Sequence, residues 1–311
     1  MEENIPGCAM EWQYMVRQKN SGMFLSILTF DGYNQSIVMF KTIVSFLLSA
    51  GILVFCSCGE APASKELQKD KWISLFNGKD INDWIVKINH HEVGENYGNT
   101  FRVEDSLIKV RYDQYDAFNN QFGHLYFKTP FSYYHLVVEY RFTGIWRKDA
   151  PEYTLKNSGV MLHSQDPRTM LKDQDWPISV ELQLLAGLGD GNPRPTGNMC
   201  SPGTDVVYQG AIDPRHCIES SSETYEGEQW VRAEAIVLGD SLITHIINGD
   251  TVLQYSKPQI GGGVVNNYDP AVKIDGKLLK SGYIALQSEG QEIDFRKVEL
   301  LNIEDDPRYK H

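Results

Sequence analysis

Basic side chains are scarce in this chain. It carries 29 Lys and Arg against 41 Asp and Glu, a formal charge of −12, with no Lys- or Arg-rich stripe. Binding a phosphate backbone needs such a stripe, so composition argues against a nucleic-acid partner. Cysteine is sparse, at five residues. No Cys-x-x-Cys pair and no His/Cys group at zinc spacing occurs, so no structural zinc motif is present. No stretch of ten residues shows good helical periodicity, which excludes a bundle of long helices. Long apolar runs are missing too: the longest uncharged, mostly apolar segment is Thr42 to Phe55, 14 residues. That is short for a bilayer span and suits the core of a signal peptide.

What is present begins with an address. Met39 and Lys41 form a short positive start, the apolar run follows, and it ends in Phe55-Cys56-Ser57-Cys58-Gly59-Glu60. A small residue before Cys58 resembles a bacterial lipobox. Cys58 is therefore the expected lipidation site, with Cys56 the poorer alternative because bulky Phe55 precedes it. Residues 1–38 read as an over-extended start, 39–57 as a lipoprotein signal peptide, and 58–70 as a polar tether. The expected location is the bacterial cell envelope, on its periplasmic face or the cell surface, with a lipid as the only membrane contact. Beyond Cys58 two cysteines remain. Export permits a Cys200–Cys217 disulfide, and two buried free thiols are the alternative.

Residues 71–304 read as one β-rich domain. Leu136, Val138, Tyr140 and Phe142 alternate with Val137, Glu139, Arg141 and Thr143. Val180, Leu182 and Leu184 alternate with Glu181, Gln183 and Leu185. Strands at 230–238, 242–247 and 252–255 are joined by Gly239-Asp240 and Asn248-Gly249 turns, and Asn-Gly is a strong hairpin signal. Short strands with turn residues between them predict an all-β antiparallel sandwich. Long loops at 86–99, 111–123, 144–157, 164–176, 186–204 and 257–280 are expected to shape a site.

Five stretches carry a family resemblance: Leu75-Phe76-Asn77-Gly78-Lys79-Asp80 followed by Trp84; Asn157-Ser158-Gly159-Val160; Glu181-Leu182-Gln183-Leu184-Leu185; Gly197-Asn198-Met199-Cys200-Ser201-Pro202-Gly203; and Gly282 through Glu289. As an ordered set they resemble the 3-keto-disaccharide hydrolase family, from about Lys71 to Glu304. The resemblance implies a concanavalin A-like jelly roll. It also implies an exported enzyme that cleaves glycosides whose sugar carries a ketone at carbon 3. A partner sugar oxidoreductase would supply that ketone. A non-catalytic carbohydrate-binding module and a structural surface lipoprotein are the competing readings.

The polar faces of the strands supply candidate residues. Glu181 and Gln183 interrupt the apolar run Ile178-Ser179-Val180-Glu181-Leu182-Gln183-Leu184-Leu185, where carboxyl and amide groups would be costly in a core. A 3-ketone acidifies the hydrogen on carbon 2, so one base and a means of stabilising the enolate oxygen suffice for β-elimination. Glu181 or His163 is the expected base. Gln183, Arg141 or an imidazole is the expected donor, with a divalent metal as a further option. Glu139, Asn157, Gln287, Glu289 and His245 complete the expected sugar-binding set. The strand lacks the second and third acids of a Glu-x-Asp-x-(x)-Glu glucanase pattern, which weighs against two-carboxylate hydrolysis. His90, His91 and Glu92 are a metal set or, as favoured, a solvated loop. The sequence leaves any metal ligand unassigned. Glu181, Gln183, His163, Arg141 and Gln287 are expected to share one hollow.

Overall fold

The computed structural model describes residues 70–309. The signal peptide, Cys58 and the tether up to residue 69 lie outside the described residues. In chain order the strands are β1 (Trp72–Ser74), β2 (Trp84–Ile88), β3 (Phe101–Glu104), β4 (Leu107–Val110), β5 (Gly123–Phe127), β6 (Tyr133–Trp146), β7 (Asn157–Ser164), β8 (Val180–Leu185) and β9 (Asn198–Cys200). They continue with β10 (Thr204–Tyr208), β11 (Ala211–Asp213), β12 (Cys217–Ile218), β13 (Val231–Leu238), β14 (Leu242–Ile247), β15 (Asp250–Ile260), β16 (Tyr283–Ser288) and β17 (Gln291–Asn302). Only short 3-10 turns accompany them among the described residues.

Two antiparallel sheets form an all-β jelly-roll sandwich. One has ten strands in the order β11-β10-β15-β14-β13-β6-β17-β4-β3, with β1 paired to β17; the other has seven in the order β12-β9-β8-β7-β16-β5-β2. The expected fold class is therefore the observed one. The core lies between the sheets. Leu136, Val138 and Tyr140 point inward from β6, and Leu182, Leu184, Val160 and Leu286 point inward from the smaller sheet. Alternation then sends the neighbours of these residues to the opposite face of each strand.

Several strands lie where loops were expected. β2 occupies the start of the expected 86–99 loop, and β9 lies inside 186–204. These strands are short or, like β5, buried at every residue, so they lack a clean alternating pattern.

Candidate active site

The outer face of the seven-stranded sheet carries the site. In the β7–β8 ladder Gly159 lies opposite Gln183 and Met161 opposite Glu181; in the β8–β9 ladder Gln183 lies opposite Asn198 and Glu181 opposite Cys200. Cys200 in turn faces Cys217 on β12. Because these residues alternate with core residues, they share one face. That face, together with the long loops, encloses a cavity of about 530 Å³. Glu181, Gln183, Asn157, Gln287 and Glu289 all line it.

Glu181 is buried, and burial pushes its carboxyl up to about 8. No protein donor among the described residues bonds its side chain, so desolvation is not offset. The room it occupies exists because position 159 is glycine: a Cβ there would collide with the Glu181 carboxylate. Glu289 is also buried, and its carboxyl is held well above the usual range by burial and then by the charge of Glu181, with Arg194 acting in the opposite direction. Once Glu181 is ionised, its charge thus makes Glu289 hold its proton more tightly. Arg194 is fixed by three carbonyls: Nη1 donates to Lys156 O at 3.0 Å and Ala186 O at 2.6 Å, and Nη2 donates to Leu155 O at 2.8 Å.

A chain of amides orders the polar wall. Asn198 Nδ2 donates to Gln183 Oε1 at 2.9 Å, Gln183 Nε2 to Asn157 Oδ1 at 3.4 Å, and Asn157 Nδ2 to Tyr153 O at 3.1 Å. The long Gln183–Asn157 contact leaves the Gln183 amide free to turn toward a ligand. Gln287 Oε1 is buried with no partner. So is Nε2 of His124, its ladder neighbour on β5, an imidazole that burial holds at about 3 and hence neutral.

Four expected site residues lie elsewhere. His163 would face the cavity if β7 stayed regular. Instead the register shifts between Tyr283 and Ala285 opposite it, and His163 adopts φ 48. Such a bulge breaks the alternation. Its ring turns inward, bonds Gly239 O at 2.9 Å and meets Tyr134 edge-on. Arg141 and Glu139 sit on the outer face of the other sheet. Arg141 pairs with Asp294 at 2.9 Å and stacks over Trp230, and Glu139 pairs with Arg296. His245 points into the interior, where it meets Gly197 O at 2.9 Å and Tyr255 Oη at 3.0 Å; burial lowers it to about 4. For Arg141, Glu139 and His163 the odd-even phase was read correctly along the strand, but phase does not say which sheet the strand joins or where it bulges. His245 instead shares the inward phase of the core residues Ile243 and Ile247, so its expected outward phase was wrong.

Cys200 and Cys217 form a disulfide that lines the cavity. Among the described residues the one His/Cys/Asp/Glu group within metal-holding range is Cys200, His216 and Cys217. Its two sulfurs are bonded to each other. His90 pairs with Asp173, and His91 pairs with Glu95 and stacks on Tyr97.

Sequence reasoning missed Trp176, Tyr153, Arg194, Pro202 and Val264, all of which line the cavity. Their signal was the set of long loops, which marks a site without saying which side chains turn into it.

Two buried carboxyls with raised pKa, a wall of amides and the rings of Tyr153 and Trp176 line one cavity, an arrangement suited to a carbohydrate-active protein. The family model described as a 3-keto-alpha-glucoside-1,2-lyase-like domain matches residues 71–301, and the chain belongs to that family. No curated protein sequence matches it. Two solved structures of proposed glycosyl hydrolases from Parabacteroides distasonis ATCC 8503 are similar to it. One is 17% identical with TM-score 0.45, covering 74% of this chain and 93% of that one. The other is 18% identical with TM-score 0.45, covering 74% and 98%. A Bacillus subtilis protein with a galectin-like fold is 10% identical with TM-score 0.39, covering 75% and 94%.

Proposed function

We propose that this protein cleaves 3-keto-glycosides by β-elimination, with Glu181 as the base. The observation that carries this reading is the buried, unpartnered Glu181 carboxyl with its pKa raised to about 8, next to a second buried acid. A base of that strength suits removal of a proton made acidic by an adjacent ketone.

The steps balance as follows. The Glu181 carboxylate takes the proton from carbon 2, and the electron pair moves onto the oxygen at carbon 3. Gln183, whose Nε2 makes only a long 3.4 Å bond to Asn157 Oδ1, donates to that oxygen in this reading. Collapse of the enolate restores the ketone, forms the C1=C2 bond and breaks the bond from carbon 1 to the aglycone oxygen. The Glu289 carboxylic acid gives that oxygen a proton. Water then adds in the reverse sense: Glu289 takes its proton, hydroxide joins carbon 1, and Glu181 returns its proton to carbon 2. The net result is hydrolysis, and both acids are reset.

The same reading makes the protein an exported lipoprotein anchored through Cys58, supported by the apolar run that ends there, and pairs it with an oxidoreductase that makes the ketone. Labelling cells with an alkyne fatty acid, with Cys58→Ala as control, tests the anchor. For the chemistry, the purified domain is incubated with a 3-keto-glucoside and with the plain glucoside. Loss of the keto sugar alone, abolished in Glu181→Gln, is the expected result. Binding of either sugar without turnover would replace the enzyme with a binding module.

A further inference from the structure

The cavity is unequal along β8. Near the C-terminal end of the strand, Asn157 lies opposite Leu185 and Gln183 opposite Asn198. Arg194 bonds the carbonyls of Leu155, Lys156 and Ala186 there and acts on Glu289. That end is rich in hydrogen-bonding groups. Near the N-terminal end the walls are Trp176, Pro202, Val264 and the Cys200–Cys217 disulfide, with His216 beside the disulfide as a polar side chain. Backbone bonds from Ser179 N to Pro202 O (3.1 Å) and from Gly203 N to Gly263 O (2.8 Å) hold these segments together. Glu181 stands between the two ends, level with Cys200 and Met161.

Two loops build the apolar end, and one carboxylate ties them. Asp175 Oδ1 accepts from Trp176 N at 2.8 Å and from Asn266 N at 2.7 Å, while Oδ2 accepts from Asn266 Nδ2 at 2.6 Å. On the far side, Gly262 N donates to Asp205 Oδ2 at 3.1 Å. Val264 lies between these anchors, exposed at 49%, with φ 58. A β-branched residue adopts that region only when its surroundings impose it. The Trp176 ring is stacked on Phe122 with centroids 4.5 Å apart, so it too is fixed.

We propose that this end is an aglycone subsite for planar, apolar groups, and that Asp175 is the positioning residue that sets the gap between its Trp176 and Val264 walls. The proposal rests on the functional reading above in placing the sugar at the polar end, which puts the bond to the aglycone beside Glu181. A planar apolar group would stack on Trp176 and fill the space against Val264 and Pro202. A second sugar would bring several hydroxyls to walls where His216 is the one polar side chain among the lining residues named for this end, and the hydroxyls left unpaired would be costly.

The test uses a 3-keto-glucoside with an aryl aglycone and a 3-keto-disaccharide. Rates are measured for the unmodified protein, Asp175→Ala, Trp176→Ala and the exchanged pair Asp175→Asn with Asn266→Asp. Calorimetric binding of the unoxidised aryl glucoside and disaccharide is measured in parallel. The unmodified protein should favour the aryl substrate in kcat/KM by about tenfold or more, with the same order in binding. Asp175→Ala should raise KM for the aryl substrate several-fold, keep kcat within about twofold, and erase the preference. Trp176→Ala should erase it as well, and the exchanged pair should restore most of it. A disaccharide that matches or beats the aryl substrate overturns the subsite. Equal loss on both substrates in Asp175→Ala, carried by kcat, overturns the positioning role. Aryl preference in binding without turnover of either keto sugar would sink the elimination reading and leave the subsite standing. Turnover of both keto sugars without preference would do the reverse.

Discussion

The carboxylate of Glu181 occupies the space that a side chain at residue 159 would need. Gly159 and Glu181 lie on adjacent strands, and a Cβ on Gly159 would fall inside van der Waals contact of Oε1, Cδ and Cγ of Glu181. The Asn-Ser-Gly stretch and the Glu-x-Gln stretch are thus two halves of one arrangement.

Gly159→Ala should therefore act as a displacement of Glu181. The obstructing atoms are the end of a side chain that can swing, so the fold should survive at a cost of roughly 1–3 kcal/mol. Turnover should fall by about 100-fold, because a base moved by an ångström loses its alignment. Thermal unfolding and initial rates on the keto sugar check both parts; full activity would mean that the position of Glu181 is immaterial.

Stability should depend on pH through the same carboxyl. Its folded-state pKa of about 8 lies above its ordinary value of 4.5. Between those values the native protein keeps a proton that the unfolded chain has released. For this group stability is therefore full at and below about pH 4.5 and declines as pH rises to 8, by roughly 5 kcal/mol in all. Glu289 acts in the same direction. Urea midpoints at pH 5, 6.5 and 8 should show that decline, and Glu181→Gln should flatten it.

Catalysis should follow the opposite limb. The reactive form needs Glu181 ionised and Glu289 protonated, so kcat/KM should climb toward pH 8 and fall once Glu289 releases its proton. Glu289→Gln should remove the descending limb while lowering the maximum by about 10- to 100-fold. A profile unchanged by that substitution would remove Glu289 from the proton path.

The disulfide should support both stability and the site. It closes a loop of 17 residues, worth about 3 kcal/mol in the chain-entropy account. Cys200 is also the ladder partner of Glu181. Cys200→Ser with Cys217→Ser should lower the unfolding temperature and reduce kcat several-fold. Unchanged rates in the folded variant would confine the bridge to stability.

His163→Ala supplies the contrast. With its ring against Tyr134 and Gly239 O, away from the cavity, the substitution should cost roughly 2 kcal/mol and leave kcat/KM within about twofold for the folded protein. A collapse of activity in a well-folded variant would bring His163 back into the chemistry.

Much of the framework was legible in the residues. Alternation along β6, β8, β13 and β14 and the Asn248-Gly249 turn mark an antiparallel sandwich, because a half-buried strand must alternate. Glu181 and Gln183 stood out because polar groups within an apolar strand need a reason. Gln287 and Glu289 shared their phase logic and do reach the cavity. Arg141 and Glu139 fit the same logic and do not, since a polar outward residue looks alike on either sheet, while His245 shares the phase of the core residues Ile243 and Ile247 and points inward.

The sequence by itself determined which side chains alternate, where the turns fall and which strand hides an acid, since these follow from local geometry and the cost of burying charge. Only the tertiary structure decided which strands share a sheet, that a bulge turns His163 inward, and that Arg194, Trp176 and Val264 line one cavity with Glu181 from loops distant in the chain. Those outcomes depend on long-range pairing and packing, which leave no periodic trace in any single segment.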